Sequence, residues 1–162
     1  MTRAGTGTER GTETTGPCEL HTLGSGSATM SGMRHQDELR IAHPERPPDP
    51  SVTSRLAEEL ARCPDLAFAH LVQVLVPARQ ERPELALFVW LRPSAMRSLR
   101  FALNLVSEAV ARVLPDGDFI DVLVLNSAPE LLAEIERARS LLVENDPEER
   151  IRAIAAASAS ED

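Results

Sequence analysis

Arg92, Ser94, Arg97 and Arg100 stand where an apolar run ends at Pro93 and a helix-spaced pattern begins. Guanidinium groups beside the exposed N–H groups of a helix start suit a carboxylate or a phosphate, so these four residues are the candidate anion-binding set. Ser94 serves equally as a helix cap on a solvated arginine face. His70 is the only imidazole outside the N-terminal fifty residues, and it shares a strand face with Phe68 and Val72. It reads as a packed structural histidine. A nucleophile–base pair with Cys63 is the sharper alternative, and it needs a helix end and a mid-strand position to face each other. Asp116 and Asp118 flank Gly117, a composition that suits a cation and more simply makes a turn. Gly5, Gly7 and Gly11 have the spacing of a dinucleotide loop without the preceding strand or following helix that such a loop requires.

Other chemistries are excluded by residue type. All 17 basic residues are arginine, which removes the Schiff-base and phosphate-loop lysines. One His and one Cys in the core fall short of a metal set, so neither a metal nor a cofactor is expected. The net charge of −8 is spread along the chain, and aromatic residues make up 3%. A nucleic-acid partner needs a cationic face and stacking platforms, and neither is available. Two cysteines are not a disulfide framework, and no apolar run reaches membrane-spanning length. The expected setting is the cytoplasm of a bacterium, with no membrane partner.

The elements that position these residues follow from periodicity. Residues 1–50 are rich in Gly, Thr, Ser and Pro and predict a disordered tail, with Met1, Met30 or Met33 as the start. Val52, Leu56, Leu60 and Cys63 recur at helical spacing over 52–62, with Ser51 or Thr53 as cap. Residues 66–76 and 84–91 are apolar on both alternating sets, as strands covered on two faces are, and the polar loop between them predicts an antiparallel hairpin. Met96, Leu99, Leu103, Val106, Val110 and Val113 mark a long helix. A turn at 115–118 leads to a third strand, 119–125, and Leu131, Leu132, Ile135, Ala138 and Leu142 stripe a last helix. The expectation is therefore α/β (α+β): a single small domain over 51–143 in the order αββαβα, with a three-stranded mixed sheet packed by helices. Residues 144–162 are expected to fray.

Cys63-Pro64-Asp65, Ala69-His70-Leu71-Val72-Gln73, Leu85 to Trp90 and Pro115-Asp116-Gly117-Asp118-Phe119-Ile120-Asp121, taken with the order of elements, resemble the C-terminal domain of the enhanced serine sensitivity protein family, SseB. The similarity covers roughly residues 53–142. His70 stands where that family has an aromatic residue. The resemblance implies a fold and supplies no catalytic residues. The function expected is a non-enzymic interaction or regulatory module that binds a protein partner or a second copy of itself. A sensor for a small anion, an amino acid or phosphometabolite held by the four residues at 92–100, is the alternative, and an accessory subunit of an enzyme is the third.

Overall fold

The computed structural model describes residues 39–159, and residues 1–38 of the expected disordered tail lie outside that span. Its elements run β1 (Arg40–Ala42), α1 (Pro50–Ala61), β2 (Leu66–Leu75), β3 (Glu84–Leu91), α2 (Leu99–Val113), β4 (Asp121–Val124), α3 (Leu132–Arg137), β5 (Leu141–Glu144) and α4 (Pro147–Ala159), with short 3-10 turns between some of them. The sheet is mixed. β2 and β3 form the expected antiparallel hairpin, and β4 lies parallel to β3.

The sheet has five strands, not three, and the order αββαβα is replaced accordingly. Both extra strands answer one need. β2 gives one edge to β3, and its other edge would otherwise leave buried backbone N–H and C=O groups unpaired. β1 pairs with Gln73–Leu75 of β2 and β5 with Phe68–His70, so the two short strands lie end to end along one side. Residues 40–42, expected to be tail, are therefore ordered by strand pairing. Residues 141–143, expected to close a helix, are instead three consecutive apolar positions on a buried edge.

Two layers of helix cover the sheet. Leu66, Ala69, Leu87, Val89 and Leu91 pack with Leu56 and Leu60 of α1 and with Ala102, Val106 and Val110 of α2. Phe68, Val72, Val74, Ala86 and Phe88 pack with Leu132 and Ile135 of α3 and with Ala153 and Ala157 of α4. The doubly apolar pattern of β2 and β3 is thus matched by a core on each face.

Local chemistry explains the helix limits. Asp49, not Ser51 or Thr53, caps α1: its Oδ1 accepts from Ser51 N at 2.8 Å and Ser51 Oγ at 2.6 Å, bonds that hold its carboxyl below the usual range. α3 stops because Arg139 takes φ +50°, a left-handed residue one step past the cap Ala138. In place of a frayed end, α4 follows Asp146-Pro147, with Asp146 Oδ1 accepting from Glu149 N at 3.0 Å and proline in the first turn. No helix among the described residues is long and apolar enough to cross a membrane.

Candidate functional site

The four residues singled out for anion binding lie on an irregular stretch. The helix expected from Ser94 is a 3-10 segment, Pro93–Ser98, and α2 begins only at Leu99. Neither segment has a side-chain cap, so Ser94 does not cap a helix. Ser94, Arg97 and Arg100 are exposed, while Arg92 is half-buried with its Nη1 3.8 Å from Asp146 Oδ2. The irregularity has a local cause, since Pro93 comes one residue past the end of β3 and the chain must bend sharply to lay α2 over the sheet. Among the described residues, the four main clefts are lined by other side chains.

Cys63 and His70 are kept apart by the sheet. Cys63 packs in the core beneath α1 and α2, where burial pushes its thiol up and disfavours the nucleophilic thiolate. His70 is on the opposite face, fully buried, with its ring edge-on to Phe68 at 5.8 Å. It belongs to a charged chain that sequence spacing did not reveal. Its Nε2 is 3.3 Å from Glu136 Oε1, near enough for the charges to couple but not aligned as a hydrogen bond. Arg150 of α4 grips Glu136 of α3 with two bonds, Nε to Oε1 at 2.8 Å and Nη2 to Oε2 at 2.6 Å, and reaches Glu144 of β5 with Nη1 at 2.9 Å. One guanidinium thus ties α3, β5 and α4 together over β2.

The charges in this chain follow from that packing. Burial lowers the affinity of His70 for a proton; the Glu136 carboxylate pulls the other way, and Arg150 opposes it. Burial alone raises Glu136, but the bonds from Arg150 and the nearby His70 outweigh it and hold the carboxyl below its usual range. Glu136 pairs with residues 14 and 66 positions away, so no local pattern announces the cluster.

Asp116 and Asp118 make the turn their composition predicts. Asp118 N donates to Pro115 O at 3.0 Å, and Gly117 sits at φ +91°, a conformation that a side chain resists. Among the described residues no group of three or more His, Cys, Asp or Glu is placed to hold a metal ion. Gly5, Gly7 and Gly11 lie outside the described residues.

This turn instead forms one wall of a cleft of about 470 Å³ at the end of the sheet, floored by Val52, Leu85, Leu114 and Ile120. The neighbouring cleft of about 330 Å³, against α2, shares Leu114 and residues 118–121 with it. Between them stands Phe119, 80% exposed. Next to Phe119, β4 pairs only with β3 among the described residues, so its outer edge is open. Leu123, in the strand expected over 119–125, is 42% exposed beside Phe88. Four helices cover the hairpin but leave this end strand half bare. No protein-family model, curated protein or solved structure matches the chain.

Proposed function

We propose that the chain is a non-enzymic interaction module, resembling the SseB C-terminal domain in fold, that associates with a second copy of itself through the open edge of β4. The observation that carries this is the unpaired outer edge of a parallel strand with Leu123 exposed on it. Open apolar edges recruit another strand. An antiparallel pairing about a two-fold axis sets Leu123 against its own copy and Val122 against the partner's Val124, apolar on apolar on both faces. The same register sets Asp121 opposite the partner's Leu125, so the two aspartates do not meet. A binding role, as opposed to a catalytic one, is supported by the separation of Cys63 and His70 on opposite faces of the sheet.

Light scattering across a concentration series tests the reading. The wild type is expected as a dimer, and Leu123→Asp as a folded monomer, because it places like charges opposite one another while substituting a side chain that solvent already reaches. A wild-type monomer at every concentration refutes the self-association.

A further inference from the structure

The cleft walled by the turn at 115–118 has an apolar floor and a mainly acidic rim, and that combination selects an occupant. Asp49, Glu84, Asp118 and Asp121 stand around it with a single cation, Arg46. Asp49 spends its carboxylate on the α1 cap, and Glu84 accepts from Gln80 Nε2 at 2.8 Å. Asp118 and Asp121 have no ion pair among the described residues, and they bracket the apolar pair Phe119-Ile120 in sequence. An exposed aromatic between two unpaired carboxylates raises the local negative potential and offers a ring to pack against.

We propose that this cleft binds a segment of a separate partner protein in which a bulky apolar side chain is flanked by arginine or lysine. The apolar side chain packs on Phe119 over the Leu85 and Ile120 floor, and its basic neighbours meet Asp118 and Asp121. A cation over the Phe119 ring adds attraction that an uncharged partner lacks. A second copy of this chain is a poorer occupant, since it brings a net charge of −8 to an acidic rim. The cleft adjoins the β4 edge and shares Asp121 with it, but Leu123, at the centre of the proposed pairing, does not line the cleft.

The test uses the full chain and a fluorescent five-residue probe that alternates arginine and leucine, followed by anisotropy at low and physiological salt. Controls replace its leucines by serine or its arginines by glutamate. The alternating probe is expected to bind and both controls to fail. Phe119→Ser, at a position exposed enough to leave the fold intact by circular dichroism, removes the binding. The double change Asp118→Asn and Asp121→Asn weakens it by at least about tenfold, with a flatter salt dependence. Leu123→Asp, which breaks the dimer edge, does not remove the binding, and this separates the cleft from that edge. Three results overturn the proposal: no binding by the alternating probe, equal binding by the serine control, or equal binding by Phe119→Ser. A fourth is a wild-type dimer that Phe119→Ser dissociates, since the cleft is then a contact between copies.

Discussion

His70→Gln should flatten the acid side of the stability profile. The imidazole is fully buried, and burial lowers its proton affinity below that of the unfolded chain, which titrates it near 6.5. For a base whose folded value is depressed, the unfolded state takes up the proton first, and stability falls as pH drops below the unfolded value. Between pH 8 and pH 5.5 the loss at this one site is at most about 1.4 kcal/mol, the limit reached when the fold takes up no proton at His70. With a urea slope of about 1.5 to 2 kcal/mol per molar, the wild-type midpoint moves down by up to about 0.7 to 1 M over that interval. Glutamine keeps a donor near Glu136 and cannot titrate, so this component of the shift vanishes in the variant. Glu136 contributes in the same direction only lower down: its depressed value gives stability that is present above about 4.5 and lost as the pH falls through the folded value. Urea melts at pH 8, 7, 6 and 5.5 therefore isolate the histidine. Midpoints that fall in parallel for the two proteins refute the reasoning, because the folded chain must then bind the His70 proton as readily as the unfolded one.

Two further substitutions probe the backbone. Asn126 holds the buried end of β3 by accepting from Leu91 N at 2.8 Å and donating to Leu91 O at 2.9 Å, so Asn126→Ala strands both groups and is expected to cost about 2 to 3 kcal/mol in chemical denaturation. Arg139 is exposed at φ +50°, and Arg139→Gly relieves that strain, raising stability by up to about 1 kcal/mol; a lower melting temperature contradicts the strain assignment.

The hairpin of β2 and β3 was legible because two short runs, apolar on both alternating sets and joined by a polar loop, fit paired strands covered on two faces far better than they fit helices. α1 was legible because its stripe is regular. The C-terminal third was misjudged for physical reasons. Leu141-Leu142-Val143 is short enough to fit a helix stripe or a strand, and only the vacant edge of β2 decides between them. The α4 start did carry a signal: Asp146-Pro147 followed by Glu149 is a cap, a first-turn proline and a capping-box acid, and an apolar patch as sparse as Ile151 and Ile154 disguised it. The irregular backbone at Pro93–Ser98 was hidden because Met96 and Leu99 are spaced for a helix, while a proline one residue past the end of a strand dictates the bend. The site followed the same rule. The Asp116–Asp118 turn was visible locally, but the cleft it walls and the His70–Glu136–Arg150 chain join residues distant in sequence, and spacing carries no trace of them.

The end-to-end arrangement of β1 and β5 along β2 sets a schedule for synthesis. β1 precedes β2 in the chain, so the half of the edge at Gln73–Leu75 is covered as soon as β2 emerges. The half at Phe68–His70 waits for β5, some 70 residues later. At ribosomal speeds of about 5 to 20 residues per second that interval lasts on the order of 4 to 14 seconds. For that time the nascent chain carries a sticky strand rim beside an unburied histidine, and holdase chaperones have their opportunity there. Any shortened version that ends before Glu144 prolongs the interval indefinitely.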